Sequence, residues 1–261
     1  MHDVEPAANS AVLTIAFAAG AVLLAIAALY ASRAFSIRNP APTIAHAPDG
    51  DVSLIGVAAA FGNAPHLTPY RGEPCVWFEA TVEESITERD NDNRESQRMA
   101  LVRRSYSTMP FLLRDPTGVV RVEAWQARLM ALPQRKWYDI TLHPERQDGH
   151  RPAVAGVRGT GYYCYTEQWI PLGTRVFVQG GLGRGPGMRA PAVPRSTEDE
   201  EARTRLDAEV PRRVGKPDSG EFIVAGDGPD AVRRRFLLLA AAWAAGAIVA
   251  PFVLIHVLDR M

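Results

Sequence analysis

Two uncharged apolar segments near opposite ends of the chain constrain its fold more than any other feature. Residues 11–31 and residues 236–258 contain no Asp, Glu, Lys or Arg. A helix needs about 20 apolar residues to cross a hydrocarbon core of about 30 Å, and each segment reaches that length. The sequence therefore predicts two transmembrane helices in a lipid bilayer, with the polar residues between them forming one water-facing domain.

Arginines beside these segments predict the orientation in the membrane. Arg33 and Arg38 follow the first segment, three arginines at 233–235 precede the second, and Arg260 stands on the outer flank. Lys and Arg concentrate on the cytoplasmic side of membrane proteins. We therefore expect an integral protein of the plasma or inner membrane, with its middle domain in the cytoplasm and both termini on the outer side.

The first segment is expected to be a retained helix and not a cleaved signal peptide. Asp3 and Glu5 precede it without any Lys or Arg, whereas a signal peptide begins with a basic region. Small residues recur four apart in both segments, and this spacing lets helices approach closely. Helix packing is therefore predicted through these residues, with an alanine-rich anchor of accidental spacing as the alternative: Ala16, Gly20, Ala242, Gly246 and Ala250.

The polar middle of the chain has the pattern of a mainly β domain. Short runs rich in β-branched and aromatic residues occur at 75–82 and 174–179, and 111–122 has the pattern of a hairpin. These features predict a small β-barrel or sandwich, with an oligonucleotide-binding (OB)-like barrel as one alternative. The predicted organisation is a tail (1–10), a transmembrane helix (11–31), a linker (32–50), a β-rich domain (51–227), a second transmembrane helix with its juxtamembrane turn (228–258) and a tail (259–261).

Three polar segments interrupt the predicted strands. Residues 83–98 are strongly charged without periodicity, which indicates an exposed loop or a long hairpin tip. Residues 180–187 are rich in glycine but lack the spacing of a phosphate-binding loop, so a flexible turn is predicted. Residues 197–209 are charged and have helical residue types, which indicates an exposed helix or disorder. Segments 83–98 and 180–187 are the candidate binding loops.

The candidates for catalysis or metal binding are few. Cys75 and Cys164 are the only cysteines, and the six histidines lack a recognised ligand spacing. A structural zinc site normally needs four Cys or His ligands, so neither metal ligands nor cofactor-binding or catalytic residues are assigned. Buried free thiols are favoured over a disulfide in the cytoplasm. Thiol-dependent catalysis stays open as an alternative.

The charge balance argues against nucleic acid as the partner. Lys plus Arg equals Asp plus Glu at 29 each, whereas nucleic-acid-binding domains are usually basic. Four arginines do alternate with two aromatic residues, as on surfaces that bind single strands. Solvated strand faces are the preferred interpretation of this group: Arg103, Arg104, Tyr106, Phe111, Arg114 and Arg121.

Four segments, in order between the two apolar stretches, resemble the GIDE-type domain, also described as the "beside a membrane" domain. They are residues 71–78 (RGEPCVWF), 110–118 (PFLLRDPTG), 167–173 (EQWIPLG) and 176–180 (VFVQG). In the eukaryotic E3 ubiquitin ligases of this family, found in the mitochondrial outer membrane, the domain lies between two transmembrane helices and a zinc-bound RING domain follows. Stand-alone relatives occur in prokaryotes.

The resemblance implies a membrane-flanked interaction module. No RING or cysteine ligands follow the second apolar segment in this sequence, so ligase activity is not expected to carry over. The predicted function is a two-pass membrane protein whose β-rich domain binds a membrane-associated protein without catalysis. The alternatives are a component of a ubiquitin-ligase-like or thiol-dependent enzyme system, and a membrane-tethered OB-like nucleic-acid binder.

Overall fold

The computed structural model describes residues 5–41, 43–62, 66–89, 94–107, 109–140, 157–185 and 197–258. The chain divides into two compact units, one formed by residues 1–39 with 228–261 and the other by residues 40–227. The described helices are α1 (Glu5–Ser36), α2 (Thr197–Glu209) and α3 (Pro229–Leu258). The first unit is helical, and the second contains α2 and all described strands.

Helices α1 and α3 form the first unit. Their segments Thr14–Ser36 and Pro229–Val253 are long and apolar enough to cross a membrane, by length and composition. Helix α3 begins at Pro229, where the missing N–H costs nothing because the first turn has no intrahelical acceptor. Helix α1 begins before the predicted segment and continues through residues 32–36, which were assigned to the linker.

Small residues bring α1 and α3 together. A Cβ on Gly20 would lie 3.4 Å from the carbonyl oxygen of Ala247 and 3.8 Å from Cγ of Pro251. Pro251 has no N–H to donate to the Ala247 carbonyl, and the bare Gly20 backbone packs against that position. Ala16 and Gly20 are buried, but Ala242 is exposed, because the buried face of α3 passes through Ala240 and Ala247. Packing through Ala16 and Gly20 is therefore seen within this pair of helices, and packing through Ala242 stays a prediction.

The strands of the second unit form a seven-stranded sheet, a four-stranded sheet and a two-stranded sheet. In chain order they are β1 (Gly50–Ala59), β2 (His66–Leu67), β3 (Pro74–Cys75), β4 (Trp77–Arg89), β5 (Glu95–Tyr106), β6 (Phe111–Asp115), β7 (Gly118–Val122), β8 (Arg128–Met130), β9 (Gln134–Asp139), β10 (Val157–Ile170), β11 (Arg175–Arg184), β12 (Arg212–Gly215) and β13 (Ile223–Ala225).

Five strands of the larger sheet close into a barrel. Their order is β1-β6-β7-β12-β11, and pairing of β1 with β11 closes the ring, while β13 and β8 extend the sheet beyond β11. Alternate residues on these strands point inward, so Leu54, Phe111 and Val178 are at most 1% exposed. The prediction of a mainly β fold with a small barrel and two apolar helices is confirmed.

The charged segment 83–98 is a hairpin in the four-stranded sheet, whose order is β5-β4-β10-β9. Strand β4 continues to Arg89 and β5 begins at Glu95, so the loop interpretation is wrong and the hairpin interpretation is correct. Ion pairs between the strands explain the charges, since Arg98 lies 2.5 Å from Glu88 and Arg89 lies 2.5 Å from Glu95. Residues 90–93 lie outside the described range.

The glycine-rich segment is also largely strand. Residues 180–184 belong to β11, and the prediction of a turn there is wrong. A Cβ on Gly180 would lie only 2.6 Å from the carbonyl oxygen of Gly215, so glycine permits the close approach of β11 and β12. Gly185 follows with a φ of +101°. Residues 186 and 187 lie outside the described part of the chain.

Ala41, Ile44 and Ala47, in the segment predicted as a linker, pack onto the barrel. Ile44 and Ala47 are buried in the main apolar core. The Ala41 N–H donates to the Ser53 carbonyl at 2.7 Å, and Arg212 Nη1 donates to the Ile44 carbonyl at 2.7 Å. The prediction of a free linker is wrong here, because Ile44 and Ala47 fill core positions that strands alone leave open.

Candidate functional site

The hairpin turn in the second GIDE-like segment is held by one carboxylate. Asp115 Oδ1 accepts hydrogen bonds from the Thr117 and Gly118 N–H groups at 2.8 and 2.9 Å, and Oδ2 accepts from the Ile44 N–H at 2.7 Å. Desolvation opposes ionisation of Asp115, but hydrogen bonds from Thr117, Ile44 and Gly118 outweigh it and lower the pKa of the carboxyl. The predicted turn is therefore confirmed, and it also anchors residue 44.

The residues just before the first GIDE-like segment meet the third segment at Glu167. This residue lies on β10 and is 0% exposed. Its Oε1 accepts a hydrogen bond from the Tyr70 N–H at 2.6 Å, and its Oε2 accepts one from Thr68 Oγ1 at 3.3 Å. Thr68 Oγ1 in turn accepts from the Glu73 N–H at 3.0 Å. We call residues 68–73 the clamp loop, because the buried carboxylate holds it against the four-stranded sheet.

Aromatic rings reinforce the clamp loop. Trp137 and Tyr165 stack with centroids 5.3 Å apart and planes 11° apart, and the Tyr70 ring packs edge-on against Tyr165 at 5.1 Å. The Arg71 guanidinium lies 4.7 Å from the Trp137 ring centroid, within cation–π range. The rings of Tyr70, Trp137 and Tyr165 and the Arg71 guanidinium therefore fix the position of the clamp loop on the sheet.

Cys75 lies beside this clamp and is fully buried. Burial raises the pKa of its thiol to about 12, the charge of Glu167 adds to the rise, and a hydrogen bond from the Trp77 backbone N–H partly opposes it. Because the thiolate is the nucleophile, a thiol with this pKa is inert at neutral pH. Cys164 is also buried, and both cysteines are free, as predicted.

The arginines and aromatic residues weighed as an alternative nucleic-acid surface do not share one exposed face. Phe111 lies in the barrel core and Arg121 is 0% exposed. Arg104 is exposed, but it forms an ion pair with Glu79 at 2.6 Å. The preferred interpretation, solvated strand faces, is wrong for Arg121, because carboxylates surround and neutralise its guanidinium.

Arg121 belongs to a group of four ionised side chains that we call the charge cluster: Arg121, Glu123, Arg203 and Asp207. Arg203 Nη2 of α2 lies 2.9 and 3.1 Å from the two carboxylate oxygens of Glu123. Asp207 Oδ1 of α2 lies 2.5 Å from Arg121 Nη1, and Glu123 Oε1 lies 3.9 Å from Arg121 Nε. The barrel and the helix therefore each contribute one cation and one anion.

Arg121 also bonds the chain on both sides of α2. Its Nη1 donates to the Val210 carbonyl at 3.1 Å, and its Nη2 donates to the Gly185 carbonyl. Burial lowers the pKa of the Arg121 guanidinium. The neighbouring carboxylates Asp207 and Glu123 oppose this fall, and the cations Arg203 and Arg213 add to it.

A separate apolar cluster lies under α2. It consists of Met109, Leu112, Leu206 and Val210, and the α2 residue Leu206 is 0% exposed. The helix predicted at 197–209 is therefore present, but one face of it is buried. Sequence reasoning missed this face, although Arg203, Leu206 and Val210 have the i, i+3, i+7 spacing of a helical stripe.

Among the residues that the structure describes, no group of three or more His, Cys, Asp or Glu side chains could hold a metal ion. Glu167 beside the clamp loop and Glu123 in the charge cluster accept hydrogen bonds from protein donors, whereas Asp207 is held by its ion pair with Arg121.

Comparison with known proteins supports the resemblance. The family model described as "GIDE: E3 Ubiquitin ligase" matches residues 83–197. No curated protein and no solved structure matches the chain. The matched range contains three of the four segments on which the resemblance rests. The fourth, 71–78, pairs with the third, because the Val76 N–H donates to the Ile170 carbonyl at 2.9 Å. The resemblance predicted from the sequence is therefore confirmed over residues 83–197.

Proposed function

We propose that this chain is a two-pass membrane protein that presents a non-catalytic, partner-binding β-rich domain at the cytoplasmic membrane surface. The observation that carries the proposal is the place of the GIDE domain in the sequence. It lies between two helices that are long and apolar enough to cross a bilayer. Tethering both ends of a domain beside a membrane raises its effective concentration toward a membrane-associated protein.

The arrangement of arginines in the helical unit supports the cytoplasmic orientation. Arg233 Nη2 donates to the Ile37 carbonyl at 2.9 Å and Arg233 pairs with Asp230 at 3.2 Å. The Arg33 guanidinium lies 5.6 Å from the Tyr30 ring centroid. Tyr30 and Arg33 lie near the C-terminal end of α1, and Arg233 lies near the N-terminal end of α3. Arginines at these two ends are typical of the cytoplasmic interface of a membrane protein, where tyrosines also occur.

Protease protection tests this orientation. In sealed, right-side-out vesicles, added protease should leave residues 40–227 intact, whereas in inverted vesicles it should digest them. Alkaline carbonate should leave the chain in the membrane pellet. Digestion in right-side-out vesicles, or release of the intact chain by carbonate, would overturn the proposed topology.

One face of the four-stranded sheet supports a role in protein binding. Tyr138 and Tyr162 are each more than half exposed, and their ring centroids are 6.4 Å apart. Leu101, also more than half exposed, lies on the same face at the opposite edge of the sheet. Exposed apolar groups that lie together on a monomer are a common mark of an interaction surface. The buried thiol of Cys75, with its pKa of about 12, argues against thiol chemistry as the function.

Site-specific photocrosslinking in native membranes tests partner binding. A photoreactive residue at Leu101 or Tyr138 should capture a membrane-associated protein. The matched control is Leu172, which is also about half exposed but lies in the turn between β10 and β11. Equal capture at all three positions, or capture of nucleic acid at Leu101 and Tyr138, would contradict the proposal.

A second candidate function is a part in a ubiquitin-like conjugation system, because the matching family model is described as an E3 ubiquitin ligase. The test is discharge of ubiquitin from a charged carrier enzyme by the full chain in membranes. Our proposal expects no acceleration of discharge. Acceleration that depends on the folded β-rich unit would favour this second function.

A further inference from the structure

We propose that α2 is a displaceable cover over a helix-binding groove, and that the groove accepts a partner's amphipathic helix with the same order of charges as α2. We call the surface under α2, formed by Met109, Leu112, Arg121 and Glu123, the α2 seat. The inference rests on the proposed partner-binding function, because it names a binding surface for it. Its test measures hydrogen exchange of the α2 amides. The inference can therefore fail while the protease-protection and crosslinking results still support the proposed function.

The topology allows α2 to leave without opening the barrel. Strands β11 and β12 pair up to Arg184 and Arg212, and the Gly185 N–H donates to the Pro211 carbonyl at 3.2 Å just beyond that pair. Helix α2 lies within the excursion between these two closing contacts. Displacement of α2 therefore requires no loss of strand pairing.

The attachment of α2 depends on few apolar contacts. Within the helix, Leu206 is the one large apolar side chain, and Val210 follows the helix end. An isolated polar helix of this length is marginal in water, so its stability comes from the seat. The buried ion pairs add less than their number suggests, because desolvation of the charges offsets much of their attraction. Segments held in this way open locally before the rest of a domain.

The charges specify which helix the seat accepts. Arg203 pairs with Glu123, and Asp207, one turn later, pairs with Arg121. A helix docked in the opposite direction, or with its two charges exchanged, would place like charges together in a buried site. Such juxtapositions exclude wrong partners efficiently. The accepted helix therefore carries a cation, a leucine three residues after the cation, and a carboxylate four residues after the cation, as α2 does with Arg203, Leu206 and Asp207.

Hydrogen exchange of the full chain in lipid nanodiscs tests whether α2 opens by itself. Amides of α2 should exchange at least about tenfold faster than those of β11. Arg203→Ala combined with Leu206→Ala should raise α2 exchange by about a further hundredfold or more while β11 stays protected. Arg205→Ala, an exposed change on the same helix, is the matched control and should change neither rate.

Two peptides test the specificity of the opened seat in the Arg203→Ala, Leu206→Ala variant. A labelled peptide of residues 197–211 should bind, and a peptide with Arg203 and Asp207 exchanged should bind at least about tenfold more weakly. Equal binding of both peptides, or binding of neither while β11 remains protected, would overturn the inference. Equal exchange rates for α2 and β11 in the native chain would do the same.

A charge exchange across the interface provides a second test that does not depend on the double alanine variant. Glu123→Arg should open α2, because it places a cation against Arg203. Adding Arg203→Glu should slow α2 exchange at least about tenfold relative to Glu123→Arg alone, because the pair is re-formed with reversed sign. Protection should stay below the native level, since the new arginine at position 123 lies beside Arg121. Failure of the second change to restore protection, in a chain whose β11 amides remain protected, would contradict a seat that recognises charge.

Discussion

The clamp loop and the charge cluster both bury a carboxylate in the β-rich unit, but they satisfy it in different ways. Glu167 accepts from the neutral Tyr70 N–H and Thr68 hydroxyl. Glu123 is paired with the charged Arg203 of a helix that lies outside the strand pairing. The first carboxylate is held by a short loop that connects two paired strands, β2 and β3. The second is held by a helix that can detach.

This difference separates rigidity from recognition. Neutral donors on the clamp loop replace the water that a carboxylate loses on burial, and these hydrogen bonds hold the clamp loop in place. Reciprocal charges add little net stability, since both partners lose water, but they define register and direction strongly. We therefore expect changes at Glu167 to lower the stability of the whole β-rich unit and changes at α2 to act locally.

The largest effect is expected for Glu167→Ala. It leaves the Tyr70 N–H and the Thr68 hydroxyl without their buried acceptor, and each such loss costs about 1–3 kcal/mol. The free energy of unfolding should fall by about 3 kcal/mol, measured by urea denaturation in detergent micelles with tryptophan fluorescence. Glu167→Gln is the matched control, and it should cost less because an acceptor oxygen remains. If Glu167→Ala lowers the free energy of unfolding by less than about 1 kcal/mol, the clamp loop would not be more rigidly held than the charge cluster.

Leu206→Ala should have the next largest effect, but only locally. Truncating a buried leucine costs about 2–5 kcal/mol when the whole domain must respond. Because α2 can detach, the loss in global unfolding free energy should stay near 2 kcal/mol or less, the lower end of that range, while α2 loses protection from proteolysis. Limited proteolysis with a protease that cleaves after arginine should cut at Arg203 or Arg205 before any site in β10 or β11. A full cooperative loss with no local cleavage would show that α2 and the barrel unfold together.

The sequence predicts the elements whose signals are local. Apolar length defines α1 and α3, and the Asp-x-Thr-Gly turn defines the hairpin of β6 and β7. Strands β8 and β12 have no such signal, since they are short and pair in parallel with β13 and β7 from distant parts of the chain. Periodicity within a segment cannot reveal a partner that lies far along the sequence.

The candidate sites were harder to predict for the same reason. Arg121 alternates with valines on its strand, which is typical of a solvated strand face. Its burial depends on Asp207, which lies far along the sequence in α2. Glu167 was part of a recognised segment, but its role depends on the clamp loop. Gly180 indicated flexibility, whereas its actual role is to let two strands approach.

The Cys75 thiol should have a smaller effect on the free energy of unfolding, and this effect reports how far water is excluded around Glu167. Burial holds the pKa of this thiol at about 12 in the folded chain, against an ordinary value of 9.0. The folded state therefore binds the thiol proton more tightly, and stability falls as pH rises above the unfolded value. At pH 10 the expected cost is about 1.4 kcal/mol. The difference in unfolding free energy between the native chain and Cys75→Ala should shift by that amount from pH 7 to pH 10, and a pH-independent difference would contradict a buried neutral thiol.

Substitution of Asp115 has the smallest expected effect on stability. Comparison with Glu167 distinguishes the effect of donor type from the effect of burial. Like Glu167 it accepts from neutral donors, including the Thr117 and Ile44 N–H groups, but it is only half-buried. Its pKa is lowered in the folded state, because those hydrogen bonds outweigh the desolvation that raises it. Its contribution is therefore present above the unfolded pKa of the carboxyl and is lost as pH falls through the folded value.

Asp115→Asn should cost about 1 kcal/mol at pH 7, because solvent competes for the donors at this site. The difference in unfolding free energy from the native chain should shrink as pH falls below about 4, near the ordinary pKa of an aspartate. Thr117→Val is the matched control, since it removes one donor and leaves the carboxylate charged. If Asp115→Asn costs as much as Glu167→Gln, which also keeps one acceptor oxygen, neutral donors alone would set the strength of such sites. A much smaller cost assigns the rigidity of the clamp loop to the exclusion of water around Glu167.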